Sequence, residues 1–214
     1  FFFLPYFLAG VFLLSSKTVT TNIGSNEIKP SLPLHSDWLY WRGKDGSGVS
    51  TQTHLPSDLG NSLLWTHEIQ GGGVPVIAGG RVYQFGYYGV GDDLQEALVC
   101  FDARNGKVLW DRRHSDFVSD IVYNRYGVGA PCVDPTTGNV YFQTSPGLLI
   151  GYDPNGEKLW ERSLMEEYAR LTFPNGRTGG PCIDENLVII HAITASWGKH
   201  GPARDRFYAF DKSS

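Results

Sequence analysis

Cys100-Phe-Asp102-Ala-Arg-Asn-Gly106-Lys-Val-Leu-Trp110 sets a carboxylate, an amide and an indole close together, and taken alone it reads as a possible site. The same set returns as Gly151-Tyr-Asp153-Pro-Asn-Gly156-Glu-Lys-Leu-Trp160, and Ala209-Phe-Asp211 begins a third copy. Recurrence changes the reading. Residues repeated at this spacing belong to the architecture before they belong to any chemistry.

Other groups of reactive types are weaker. Glu166 and Glu167 form an adjacent acidic pair of the kind that serves acid/base catalysis, but on a helix such a pair reads as a solvated face. Asp92 and Asp93 sit in the Gly-rich stretch GYYGVGDDL, where a cation site is conceivable and a polar loop tip is the expectation. DGSG at Asp45 and DPNGE at Asp153 lack the alternating ligands of a calcium loop. His114, His191 and His200 have no mutual spacing that suggests a metal site. GGGVPVIAGG leads into a strand pattern rather than the helix that a phosphate-binding loop requires. Cys100, Cys132 and Cys182 are an odd, widely spaced set with no C-x-x-C pair. They are expected to be small buried hydrophobes, with Cys132 and Cys182 on equivalent strands.

The elements that carry these residues are legible as short strands. One pattern begins at a proline: GVPVIAGGRVYQFG, GAPCVDPTTGNVYFQT and GGPCIDENLVIIHA, led by Pro75, Pro131 and Pro181. In each, an apolar run, a turn and a second β-branched and aromatic run predict a hairpin. Proline at the opening residue of a strand removes no needed ladder donor. The second pattern carries the Asp and Trp already noted, with Asn-Gly as a two-residue turn in which both residues take φ > 0. Together the patterns predict four short antiparallel strands per unit at a period near fifty residues, which is the blade of a β-propeller. SLMEEYARL, 163–171, is the one helical stretch, read as an excursion between blades. SLLWTHEI around Trp65 resembles the end of an earlier blade.

The repeated types have physical roles in such a blade. A Trp on the outer strand covers a large apolar area and keeps one N–H for neighbouring backbone. A small residue must face it, and Cys100, Gly151 and Ala209 each stand two positions before the repeat's Asp. Asp102, Asp153 and Asp211 are expected to hold the turn by accepting backbone N–H groups.

The pattern small-x-Asp-x-x-x-Gly-x-x-x-Trp, met by Cys100, Asp102, Gly106 and Trp110, resembles the tryptophan-docking repeat of the quinoprotein (PQQ-type) β-propellers. The second copy, with Gly151, Asp153, Gly156 and Trp160, is one residue shorter before its Gly. The third, with Ala209 and Asp211, stops before its Gly and Trp. The resemblance covers about residues 65–214. The lead-in DWLYWRGKDGSG also looks like the Trp-x-x-Trp-Arg-Gly opening of secreted bacterial proteins built from these repeats. A sialidase-type Asp box is excluded by the Cys-Phe and Gly-Tyr before Asp102 and Asp153, and a WD repeat by the lack of a Gly-His lead. The resemblance implies an all-β fold, a partial propeller of about three four-stranded blades plus a lead-in.

It also implies two functional classes. Quinoprotein dehydrogenases hold pyrroloquinoline quinone and Ca²⁺, many with adjacent Cys residues against the cofactor, a stacking Trp and an Asp base beside Glu and Asn ligands. This sequence has no adjacent Cys pair and no set that matches the catalytic pattern. No cofactor is identified from its residues, and PQQ with calcium is expected only in a longer protein. The other class uses the repeats as a rigid scaffold for protein partners, and that is the reading adopted, with a PQQ-dependent alcohol or sugar dehydrogenase as the alternative. Two long insertions, YGVGDDLQE and SWGKHGPARDR, are expected to carry any contact surface, with Trp197, Lys199, His200 and Arg204 foremost.

Residues 1–16 read as a partial secretory signal, since their apolar run is shorter than a spanning helix needs. Residues 17–36 read as an extended linker, 37–64 as the lead-in, and 65–214 as the blades. Export to the periplasm or the cell exterior follows. Lys+Arg 18 against Asp+Glu 22, with no basic cluster, excludes an electrostatic nucleic-acid surface. The sequence opens on Phe1 and stops inside a repeat, so it reads as part of a longer chain whose further blades, or protein partners, cover the open ends.

Overall fold

The structure, a computed structural model, describes residues 37–43, 45–53, 55–115, 126–168, 180–194 and 204–214. Residues 1–36, read from sequence as an export signal and a linker, and the loop residues Trp197, Lys199 and His200 lie outside the described residues.

Among the described residues eleven strands fall into three antiparallel sheets in chain order. The first is β1 (Val76–Ala78), β2 (Arg81–Tyr88), β3 (Gln95–Asp102) and β4 (Val108–His114). The second is β5 (Cys132–Val133), β6 (Val140–Gln143), β7 (Leu148–Tyr152) and β8 (Lys158–Ser163). The third has β9 (Cys182–Asp184), β10 (Leu187–Thr194) and β11 (Arg204–Asp211). Each follows its proline, at Pro75, Pro131 and Pro181, and each meanders from the first strand outward.

Because the sheets stack face to face, the middle strands of the first two are buried on both sides and do not alternate, whereas β10 of the third alternates, with Val188, Ile190 and Ala192 buried. Tyr83, Phe85, Leu98, Cys100 and Trp110 meet Val140, Phe142, Ile150 and Tyr152 of the second sheet. The opposite side of the first sheet, with Val82, Val99 and Phe101, is covered by Trp65 and Ile69. Between the second and third sheets lie Cys132, Tyr141, Leu149, Val188, Ile190 and Phe210. The outer strands β4 and β8 present mostly exposed or half-buried residues, as do β9 and the described side chains of β11. The lead-in joins this stack: Trp38 forms a two-way backbone bridge with Ile77, and the Leu39 carbonyl accepts from Val133 N–H at 3.1 Å.

Two expectations need correction. Asn105 and Asn155 do not adopt positive φ; only Gly106 (71°) and Gly156 (80°) do. The Asp102 N–H bonds the Lys107 carbonyl and the Asp153 N–H the Glu157 carbonyl, so the loops hold four and three residues rather than two. A shift of register beside each loop, after Cys100 and after Gly151, accompanies these longer turns. The two-residue turn with both residues at φ > 0 occurs instead at Gly79 (55°) and Gly80 (75°), between β1 and β2. The second correction concerns Cys182, which is exposed whereas Cys100 and Cys132 are buried. It lies on the side of the third sheet turned away from the second, and among the described residues no further sheet covers that side.

The stretch read as a helix forms α1 (Leu164–Tyr168) directly after β8. Ser163 Oγ accepts the Glu166 N–H at 3.2 Å at its start.

Candidate functional site

Pairing across the sheets aligns the repeated residues in rows. Val76, Tyr83, Cys100 and Trp110 are successive cross-strand neighbours in the first sheet. Cys132, Tyr141, Gly151 and Trp160 form the same row in the second. Cys182, Ile189 and Ala209 form it in the third. The small residue two before the Asp is therefore the cross-strand partner of the Trp within its own sheet. At Gly151 a Cβ would lie 2.8 Å from the Tyr141 ring and 3.2 Å from Trp160, so a larger residue would have to displace the Tyr141 ring.

Each Trp reaches into the next sheet in one manner. Trp65 Nε1–H donates to the Ala103 carbonyl at 2.9 Å, Trp110 to Pro154 at 3.0 Å and Trp160 to Lys212 at 3.0 Å. Each acceptor is the residue after the repeat's Asp. The rings lie over the turn glycines: a Cβ on Gly106 would stand 2.6 Å from Trp65, and one on Gly156 2.7 Å from Trp110. Other donors share these carbonyls. Arg81 also donates to Pro154, and Tyr141 Oη donates to Lys212 at 3.0 Å.

The Asp carboxylates hold the turns themselves. Asp102 Oδ1 accepts the Arg104 N–H at 2.9 Å, Asp153 Oδ1 those of Asn155 and Glu157 at 2.8 Å, and Asp211 Oδ1 that of Ser213 at 2.8 Å. Hydrogen bonds from the Arg104 side chain and backbone draw Asp102 below the ordinary carboxylate range, and those from Ser213 do so for Asp211. Asp134 plays the same part in the β5–β6 turn. Burial pushes its carboxyl up, yet Lys212 at 2.8 Å and the Thr136 and Thr137 donors outweigh that and leave it lowered.

At the opposite end of the sheets the β2–β3 and β6–β7 connections emerge together, and there β10 ends and β11 begins, which follows from the equivalent strand order. It is also the end at which the chain passes from one sheet to the next. Asp92 and Asp93 form an exposed 3-10 turn, Gly91–Asp93, in the first of these connections. Arg204 opens β11, and its backbone pairs with Thr194. At this end the structure shows a feature that the sequence did not announce. Glu96 is 4% exposed, and its carboxylate accepts Gly127 N–H at 2.8 Å and Ser145 N–H at 2.7 Å. It ties the first sheet to two segments that lead into and through the second. Close backbone packing surrounds it, since a Cβ on Gly127 would lie 2.5 Å from Gly86 Cα.

Groups that resembled reactive sites are otherwise engaged. Glu167 pairs with Arg162 at 2.9 Å and Glu161 with Lys158 at 2.8 Å, beside a groove of about 340 Å³ that Glu166 also lines. Burial pushes the Cys100 thiol up to about 12 and the Cys132 thiol well above its ordinary value, so neither is a thiolate nucleophile at neutral pH. His114 Nε2 lies 3.0 Å from Tyr152 Oη in the first inter-sheet core. Among the described residues no three His, Cys, Asp or Glu side chains gather to hold a metal ion. Cys100 and Cys132 lie in two different inter-sheet cores.

Antiparallel sheets of three or four strands, meandering outward and stacked face to face, define a partial β-propeller. The family described as outer membrane protein assembly factor BamB matches residues 46–192, and the chain belongs to this family of PQQ-like repeat proteins. Among solved structures, the quinohemoprotein alcohol dehydrogenase from Comamonas testosteroni is similar over 84% of this chain and 26% of its own, at 18% identity and a TM-score of 0.53. The quinohemoprotein alcohol dehydrogenase ADHIIG from Pseudomonas putida HK5 is similar over 68% of this chain and 19% of its own, at 19% identity and a TM-score of 0.48. BamB from Moraxella catarrhalis is similar over 60% of this chain and 49% of its own, at 16% identity and a TM-score of 0.27. The chain thus spans at most about a quarter of the dehydrogenases it resembles. No curated protein sequence matches it. Among the described residues no helix is long and apolar enough to cross a membrane.

Proposed function

We propose that the chain is an exported, non-catalytic propeller that serves as a rigid scaffold for protein partners. The observation that carries this reading is the use of the repeated Asp and Trp side chains. Asp102, Asp153 and Asp211 are tied to turn N–H groups, and Trp65, Trp110 and Trp160 to carbonyls of the adjoining sheet. In this reading the Trp side chains dock one blade on the next, with Cys100, Gly151 and Ala209 making room beside them. Membership of a family described by an assembly factor supports the same role, as it supports a place in the periplasm or at the outer membrane.

The partner surface in this reading is the end bearing the insertions, braced by Glu96. The Tyr88–Gln95 connection and the loop with Trp197, Lys199, His200 and Arg204 would make the contacts. The test supplies PQQ and Ca²⁺ to the protein with an electron-accepting dye and alcohols or aldose sugars. No dye reduction above the cofactor-free control is expected. PQQ-dependent turnover would replace the scaffold with the dehydrogenase reading.

A further inference from the structure

The two complete repeats place the same dipeptide, Asn105-Gly106 and Asn155-Gly156, in the turn before the Trp-bearing strand. Asparagine is thermolabile, and most so before glycine, where no side chain shields the backbone nitrogen that attacks it. Asn105 and Asn155 are both exposed. In both turns the glycine takes positive φ, and its N–H donates to the carbonyl of the repeat's Asp at 2.9 Å. The backbones of the two pairs are alike. Their side chains are not.

In the first turn Asn105 Oδ1 accepts the Lys107 N–H at 2.9 Å. That bond closes a ring which folds the side-chain carbonyl back over the Gly106 nitrogen, and it polarises the carbonyl toward the charge that attack would develop. In the second turn the corresponding N–H, that of Glu157, goes to Asp153 Oδ1 at 2.8 Å instead. The shorter loop brings Glu157 back to the Asp carboxylate, whereas the longer one leaves Lys107 to the Asn. Asn155 Nδ2 turns toward Asp153 Oδ2 at 3.5 Å, and among the described residues nothing donates to Asn155 Oδ1. Gly156 is also held more firmly. It is buried under Trp110, and Arg112 Nε donates to its carbonyl at 2.7 Å, whereas Gly106 is half-buried.

We propose that Asn105 is a site of spontaneous deamidation to aspartate and isoaspartate, and that Asn155 is its protected counterpart. The Gly106 nitrogen gives its proton to hydroxide and bonds to Asn105 Cγ. The Cγ–Nδ2 bond breaks, ammonia leaves, and a cyclic succinimide results. Water then opens the ring at either carbonyl, with no change of oxidation state. Isoaspartate routes the backbone through the former side chain, so the 102–107 loop gains a methylene, and a new carboxylate stands near Asp102. Both changes act on Gly106, where even a Cβ would stand 2.6 Å from the Trp65 ring. Modification at position 105 thereby loosens the contact between Trp65 and the first sheet.

The experiment holds the folded chain in mildly alkaline buffer and samples it over time. Chymotryptic peptides covering 102–110 and 153–160 are separated, and isoaspartate in each is scored by labelling with an isoaspartyl methyltransferase. Conversion at Asn105 is expected to run about tenfold or more ahead of Asn155. In denaturant, where neither turn exists, the two rates are expected to converge. Asn105→Gln, whose longer side chain closes the ring poorly, should stay unlabelled at position 105 and melt higher than the wild type after the same ageing. Equal rates in the folded protein, faster conversion at Asn155, no conversion at Asn105, or a ratio that denaturant leaves unchanged each overturns the proposal.

Discussion

The ring of Trp110 occupies the space that a side chain at Gly156 would need: a Cβ there would lie 2.7 Å from Trp110 Cδ2. The two residues belong to neighbouring sheets and are brought together by the hydrogen bond from the indole N–H to the Pro154 carbonyl at 3.0 Å. A left-handed turn and an aromatic contact thus depend on each other, and the relation recurs between Gly106 and Trp65.

Trp110→Ala should destabilise the protein by about 3–5 kcal/mol, the range for emptying a buried aromatic site. Denaturant unfolding measures it. A change below about 1 kcal/mol, the size of a surface effect, would refute a docking role.

Gly156→Asn separates backbone freedom from space. Asn tolerates φ of 80° far better than most residues, yet its Cβ meets the same ring. Gly156→Asn and Gly156→Ala should therefore both lower stability by about 1 kcal/mol or more. Full tolerance of Asn alone would mean that only φ matters at this turn.

Glu96→Gln should cost about 1–3 kcal/mol, since Gly127 N–H and Ser145 N–H donate to different carboxylate oxygens and an amide must set its NH2 against one of them. Hydrogen exchange should quicken at the Gly127 and Ser145 amides, with the β3–β4 turn at the other end unchanged. An unaltered melting temperature would remove Glu96 from the bracing of the loop-bearing end.

Acid should destabilise the fold through its turns. Asp102, Asp134 and Asp211 all lie below the ordinary carboxylate value when folded. Groups lowered in this sense contribute fully above the unfolded value, about 3.9, and lose that contribution as pH falls through the folded ones. Stability measured from neutral pH downward should fall mainly below about pH 4, and Asp134→Asn should flatten that fall. An acid limb of unchanged slope in Asp134→Asn would contradict the role given to its Lys212 pair.

Local residue choice made the hairpins legible: prolines open each sheet, and runs of Val, Tyr, Phe and Ile fill the strands. The spacing of Cys100, Asp102, Gly106 and Trp110 made their kinship with the second copy legible too. Turn geometry was less so, because Asn-Gly also suits a longer loop in which only the Gly turns left-handed. Cys182 shares its local context with Cys132, but burial depends on what stacks against the sheet, which no local pattern records. Glu96 escaped notice for a related reason. Its partners are Gly127 and Ser145, far along the chain, and neither belongs to the repeat.

The central claim is that the repeated residues hold one sheet against the next, and a double-mutant cycle on Trp110 and Gly156 tests it most directly. If the ring and the turn glycine meet as described, Gly156→Ala should cost much less once Trp110→Ala has removed the ring, giving a coupling of about 0.5–3 kcal/mol. A coupling of zero, with each change costing the same alone and together, would contradict the account.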